Sequence, residues 1–164
     1  MIVLGIDPGT ATTGWGVVDN KKDTELELVE YGCLETPKEM AMPDRLVMIN
    51  KLLAHLLQSK KPDIVVIEQL FFGVNSRTAM SVGQARGVVL MTVANLGIPI
   101  KEYQGLAVKL LLTGYGRAKK KEIQEVVKNI FKLEKIPKPD DAADALGVAI
   151  CHIYKSNGRT SLEA

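Results

Sequence analysis

The apolar positions of this chain fall into three kinds of run. Ile2-Val3-Leu4-Gly5-Ile6 and Ile64-Val65-Val66-Ile67 are unbroken, as in strands buried on both faces of a sheet. Residues 25–33 alternate, with Leu26, Leu28 and Glu30 on one side against Glu27, Val29 and Tyr31 on the other, and 12–19 form a further strand after the Pro8-Gly9 turn. Short connections at Pro8-Gly9 and 21–23 make the first three strands an antiparallel meander. The third kind has helical spacing. Leu46, Ile49, Leu53 and Leu56 mark a helix over 44–59, entered from a loop over 36–42 with Pro37 and Pro43 as punctuation and closed by Lys60-Lys61-Pro62. A helix between two buried strands is a crossover, so 63–68 should run parallel to the first strand and beside it. Helices over 76–95, 106–112, 119–133 and 140–155 and a fifth strand over 98–102 complete the pattern. The fold class is α/β: a five-stranded mixed sheet, strands 1–3 antiparallel, then parallel strands 4 and 5, flanked by helices.

Both buried runs end in an acid, Asp7 and Glu68. A bare carboxylate in a sheet centre costs several kcal/mol unless it is paired, protonated or metal-bound, and no cation stands beside Asp7 in the sequence. Asp7 could simply open an Asp-Pro-Gly turn. Parallel neighbours that both end in acids, however, would sit together at one edge of the sheet. Two carboxylates about 4 Å apart repel by roughly 4 kcal/mol at an effective dielectric of about 20, a penalty that a divalent cation removes. The last helix adds Asp140, Asp141 and Asp144. Asp140 suits a capping role, while Asp141 and Asp144, three apart, share one face. All-oxygen ligands select a hard cation such as magnesium or manganese, and two such ions can activate water against a phosphodiester. His55 and His152 enter no Ser-His-Asp or Cys-His arrangement.

Composition narrows the partners. The chain has 164 residues, 46% apolar and 24% charged, with a net charge of +2, which fits one soluble domain over 1–155 and a flexible polar tail over 156–164. There is no apolar run of membrane-spanning length and no basic-then-apolar leader, and the two cysteines, Cys33 and Cys151, form no CxxC motif. A cytoplasmic protein is expected. Charge is uneven: Lys101, Lys109, Arg117, Lys119, Lys120 and Lys121 face only Glu102 over 101–121. Four of these cations crowd a helix N-terminus, which the macrodipole disfavours. Free amides and basic side chains together suit a phosphate there, and a solvated charge run is the alternative. Phe71 and Phe72 follow Glu68 closely; either could plug core, and an exposed one could stack on an unpaired base. The helix over 76–95 keeps Ala79, Gly83, Gly87 and Ala94 on one side, a face that packs either on the sheet or on a second copy of itself.

The motifs GIDPGT, IEQLFF, GQARG and DDAADAL, in this order, resemble the RuvC family of Holliday junction resolvases over nearly the whole chain. The resemblance implies a ribonuclease H-like fold and a magnesium-dependent homodimer that nicks four-way DNA junctions symmetrically, leaving ligatable ends. It also implies branch-migration partners of the RuvA and RuvB type. Asp7, Glu68, Asp141 and Asp144 match the family's catalytic, metal-holding acids. Phe71 matches its junction-stacking aromatic, and Lys109 and Lys120 match basic positions near DNA, with Arg117, Lys119 and Lys121 as neighbouring candidates. The glycine-bearing helix matches the dimer helix. Rivals share parts of the pattern. An actin-like or sugar-kinase enzyme opens alike but needs two such domains. A DNA-structure binder with a dead site would gain from losing negative charge near phosphates. A related nuclease for other branched or hybrid substrates shares the fold, which alone does not choose a substrate.

Overall fold

Alternation along the strands and helical spacing between them organise the chain into two hydrophobic layers about one sheet. The structure, a computed structural model, describes residues 1–22, 25–69 and 76–162. The elements are β1 (Ile2–Asp7), β2 (Thr12–Lys22), β3 (Glu25–Glu35), α1 (Met42–Lys60), β4 (Ile64–Gln69), α2 (Ser76–Asn95), β5 (Ile100–Gln104), α3 (Gly105–Thr113), α4 (Lys120–Ile130) and α5 (Asp140–Ser156). The sheet order is β3-β2-β1-β4-β5, with β1 antiparallel to β2, β2 antiparallel to β3, and β1, β4 and β5 parallel. This is the mixed sheet that the hydrophobic pattern predicts.

On one face, Leu4, Ile6, Trp15, Val17, Val65 and Ile67 pack against α1 and α2 through residues such as Ile49, Leu53, Ala85 and Val89. On the other, Val3, Val18 and Val66 pack against α3, α4 and α5, with Leu112, Val127, Leu146 and Ile150 among them. Val3, Leu4 and Ile6 are fully buried. Each such side chain contributes about 1.5–3 kcal/mol relative to exposure, enough together to hold a strand that ends in a half-buried acid.

Several boundaries differ from the sequence expectation. β3 does not alternate strictly: Val17 pairs with Glu30 while Val18 pairs with Leu28, so Val29 is the extra residue of a bulge. Val29 is therefore exposed, and Tyr31 rather than Glu30 joins Leu26 and Leu28 on the α5 side. α1 begins at Met42 with Pro43 inside its first turn, where proline's missing N–H costs nothing. β5 starts at Ile100 rather than 98, and α4 ends at Ile130 rather than 133, with Lys132 at φ 53° in the following turn. Asp140 is not the cap of α5. Pro139 holds the N-cap position, and Asp140, one residue inside, accepts from Lys138 Nζ at 2.5 Å. Beyond α5, Leu162 packs against the α5-side core.

Candidate metal centre and nucleic-acid interface

Register and parity bring the first two acids together. β1 and β4 pair in parallel through Ile6↔Ile67, so Asp7 and Glu68 are next in line, and both follow Val3, Val66 and their partners toward the α5 face. The turn after Asp7 is pinned by Thr13, whose Oγ1 donates to the Gly9 carbonyl at 2.8 Å. A side chain on Gly9 would meet the Thr12 carbonyl oxygen at 2.3 Å, so the turn closes only with glycine there.

The second pair of acids arrives because three strand glycines let α5 lie directly on the sheet. An added Cβ would stand 1.9 Å from the Ala145 carbonyl oxygen at Gly5, 2.1 Å from that of Asp141 at Gly14 and 2.4 Å from Leu146 Cδ2 at Gly16. Helix backbone occupies the space a side chain would fill at Gly5 and Gly14, and the Leu146 side chain does so at Gly16. Asp141 and Asp144 thus come down beside Asp7, and ligand oxygens of these three carboxylates lie within 4.8 Å of one another. Among the described residues this is the one such cluster. Glu68 stands at its margin. It lines a cleft of about 180 Å³ with Gly105, Val108, Lys109, Lys120, Ile123 and Asp144. A side chain on Gly105 would strike Glu68 Oε1 at 2.1 Å, so that glycine leaves room for the carboxylate.

Burial and crowding raise the proton affinity of Asp7, Glu68 and Asp144. Asp7 is pushed up to about 7, first by burial and then by Asp144, Asp141 and Glu68, with Lys120 opposing. Glu68 is raised by burial and by Asp144 against the pull of Lys109 and Lys120, and Asp144 is raised by burial despite Lys120. The cation absent from the local sequence around Asp7 is Lys120. Its Nζ lies 2.7 Å from Asp144 Oδ2 and 3.6 Å from Asp141 Oδ1. Burial opposes its charge, but Asp144, Asp141 and Asp7 outweigh that and hold its pKa above the ordinary lysine value. Two ammoniums, Lys120 and Lys109, against four carboxylates still leave a surplus of negative charge in a half-buried cleft. An all-oxygen donor set with that surplus fits hard divalent cations.

The remaining basic candidates divide. Lys109, on α3, lines the same cleft. Arg117, Lys119 and Lys121 are exposed around the start of α4, where the Lys119 backbone N–H donates to Glu122 Oε2 at 2.7 Å. Of the four cations at that terminus, Lys120 is thus explained by the acids it faces. Phe71 and Phe72 lie outside the described residues. The small face of α2 does not pack on the sheet: Gly87 and Ala94 are exposed, and a Cβ on Gly83 or Gly87 would meet nothing within 4 Å. Sequence reasoning missed the glycine stripe under α5, although Gly14-Trp15-Gly16 alternates on one strand face. It also missed the pairing of Lys120 with the acids, which nothing local signals. Among the described residues no helix is long and apolar enough to cross a membrane.

The sequence matches, over residues 3–152, the family described as crossover junction endodeoxyribonuclease RuvC. A relative of that name from Desulfitobacterium hafniense is 49% identical over 157 residues, 96% of this chain and 94% of its own length. Another, from Roseiflexus, is 52% identical over 151 residues, 92% of this chain and 89% of its own length. Among solved structures, Thermus thermophilus RuvC in complex with Holliday junction substrate superimposes with a TM-score of 0.88 at 32% identity, covering 96% of each chain. The fold is thus shared with RuvC enzymes, as the ribonuclease H-like expectation required.

Proposed function

The chain belongs to the RuvC family of crossover junction endodeoxyribonucleases, and on that premise we propose that it resolves four-way DNA junctions by metal-dependent hydrolysis of phosphodiesters in two opposed strands. The observation that carries the reading is the convergence of Asp7, Asp141 and Asp144 within 4.8 Å, beside the cleft that Glu68 and Asp144 share. Asp7, Asp141, Asp144 and Glu68 are the ligands we assign to divalent cations, two magnesium ions per subunit, with manganese as a substitute. Bound there, such ions supply charge neutralisation, an activated water and stabilisation of the leaving oxygen.

The chain's own residues do the rest. The strand-end positions of Asp7 and Glu68 and the seated α5 fix the carboxylates, so little reorganisation is needed when the phosphate arrives. Lys109 and Lys120, which line the cleft from α3 and α4, draw the phosphate in. Lys120 can exchange its carboxylate partners for a non-bridging oxygen. Water oxygen bonds to phosphorus and the bond from phosphorus to the 3′ oxygen breaks, leaving a 3′-hydroxyl and a 5′-phosphate that can be religated. Arg117, Lys119 and Lys121 extend the positive surface along the DNA backbone, and Phe71 is assigned to stacking at the junction centre. The nuclease domain spans 1–155, and two copies join through α2. Branch-migration proteins of the RuvA and RuvB type are the expected partners, in the cytoplasm.

The test is cleavage of a synthetic mobile four-way junction beside linear duplex and RNA–DNA hybrid, with and without magnesium. Paired, metal-dependent nicks in the junction alone are expected. Binding without cutting would overturn the nuclease assignment, and cutting of the hybrid instead would overturn the junction.

A further inference from the structure

The turn between β1 and β2, residues 8–11, is bound at each carbonyl after that of Pro8. Gly9 O accepts from Thr13 Oγ1 at 2.8 Å, Thr10 O from Thr36 Oγ1 at 2.5 Å, and Ala11 O from the Thr36 backbone N–H at 3.0 Å. Thr13 is fully buried and Thr36 is 6% exposed. Thr36 follows the last residue of β3, so the turn is tied to the third strand as well as to the second.

The tie continues into α1, on the face of the sheet opposite α5. Arg45, at the start of that helix, donates from Nε to Thr36 Oγ1 at 2.8 Å. A guanidinium only donates, whereas a hydroxyl donates and accepts. With Arg45 on one lone pair, the Thr36 hydroxyl proton must point elsewhere, and it goes to the Thr10 carbonyl. Arg45 thus orients the hydroxyl, and its charge strengthens the chain of bonds. Among the described residues Arg45 has no other hydrogen bond and no ion pair, so Thr36 is its one described partner.

A satisfied polar relay of this kind adds rigidity more than stability, since apolar groups of the same shape would hold the fold about as well. What needs rigidity is Asp7, the last residue of β1 and the one from which the turn departs. Its carboxylate is brought within 4.8 Å of those of Asp141 and Asp144, and without a cation the three repel. A turn free to yield would let Asp7 withdraw and the ligand set open. Resting on the metal centre proposed above, we propose that Arg45 and Thr36 form a tether that holds the Asp7 turn against this repulsion, both acting as positioning residues for the metal-binding carboxylate.

The experiment titrates magnesium into DNA-free protein by calorimetry for the wild type, Thr36→Val, Thr36→Ser, Arg45→Met and the double variant Thr36→Val/Arg45→Met, with steady-state cleavage of the junction alongside. Losing a hydrogen bond behind a metal ligand costs about 10- to 100-fold in metal affinity. This tether acts through a stretch of backbone, so the magnesium Kd is expected to rise about tenfold, the low end of that range, in Thr36→Val and in Arg45→Met. kcat should fall alike, with KM for the junction unchanged. Thr36→Ser, which keeps the hydroxyl, should bind magnesium as the wild type does. The double variant should be no weaker than either single one, because both changes break the same relay. A purely structural role would instead lower the melting temperatures and leave magnesium affinity unchanged. That result, in variants that still melt cooperatively, would overturn the tether, as would a Thr36→Ser variant as weak as Thr36→Val. Should Thr36→Val fail to fold, Arg45→Met carries the same test at a half-buried side chain. A junction KM raised by Arg45→Met at unchanged magnesium affinity would make Arg45 a phosphate contact and overturn its positioning role. A wild type that binds magnesium but cuts no junction would overturn the nuclease reading and leave the tether to its metal readout; a wild type that binds no magnesium would overturn both.

Discussion

Asp7 and Lys120 oppose each other at the scale of single residues. Asp7 titrates at about 7 against an ordinary value of 3.8. Between those values the folded chain keeps a proton that the unfolded chain has released, so this group's contribution to stability falls as pH rises from about 4 to 7. Asp7→Asn removes the penalty. In metal-free protein we expect the melting temperature to rise at pH 8, the gain shrinking as pH drops toward 4, while cleavage is lost and junction binding persists. A melting temperature unchanged at pH 8 would mean that Asp7 is not held under strain by its neighbours. Lys120→Ala has the opposite sign, since it strips the acids of their counter-ion. For a pair this exposed the loss is about 1 kcal/mol, or roughly 2–4 °C in a domain of this size. Differential scanning fluorimetry at pH 8 without metal checks both signs, and magnesium should recover part of the Lys120→Ala loss. Magnesium should also bind more tightly at pH 8 than at pH 6, because Asp7 must shed its proton to coordinate; isothermal titration in two buffers of different ionisation heat would show the released proton.

At the scale of elements, the site depends on how closely α5 approaches the sheet. Gly14→Ala places a methyl against the Asp141 backbone, 2.1 Å from its carbonyl oxygen, and backbone cannot yield as a side-chain tip can. We expect a loss of about 1–3 kcal/mol from overpacking and a larger fall in cleavage than in junction binding, because Asp141 moves with the helix. Gly147→Ala is the contrast: its new methyl meets side-chain tips rather than backbone, Leu112 Cδ1 at 3.2 Å and Ile123 Cγ2 at 3.4 Å, and the helix gains up to about 1 kcal/mol in propensity, so stability should hold. Equal behaviour of the two variants in chemical denaturation would remove close approach as the reason for the strand glycines. This contrast also marks what the chain reveals before folding. Strand order and the pairing of Asp7 with Glu68 follow from hydrophobic parity and one crossover, both local patterns. The seat of α5 depends on which helix lands on Gly5, Gly14 and Gly16, and no local signal names it. The Val29 bulge and the reach of Lys120 to Asp144 are likewise products of tertiary packing, as is the bond from Arg45 to Thr36. Asp140 misled because an acid ahead of a helix reads as a cap, whereas Pro139 enters the helix in an extended conformation, with no side-chain bond to offer.

At the scale of the whole molecule, the outer face of α2 needs an explanation that one chain does not provide. Met80, Gly83, Gly87, Met91 and Ala94 follow one another at steps of three or four and so form one stripe. Met80 is 74% exposed and Met91 50%, and among the described residues neither glycine has a neighbour that demands its smallness. Interior glycine costs a helix about 1 kcal/mol relative to alanine, a cost that close approach of another helix would offset. An isologous pair of α2 helices, the dimer proposed above, would meet that need and set two carboxylate centres about a two-fold axis, as cutting opposed strands of one junction requires. Met80→Lys with Met91→Lys puts four like charges into such an interface without touching the core of either subunit. Sedimentation equilibrium should then give a monomer mass where the wild type gives a dimer, with the melting curve still cooperative. On a plasmid-borne junction the wild type should release linear product from paired cuts, whereas the double variant should accumulate nicked circles, since its two cuts are no longer made within one bound complex. A dimer mass that survives both lysines would move the interface away from α2. A monomer that still cuts in pairs would show that the junction's own symmetry, rather than the protein's, coordinates the two strands.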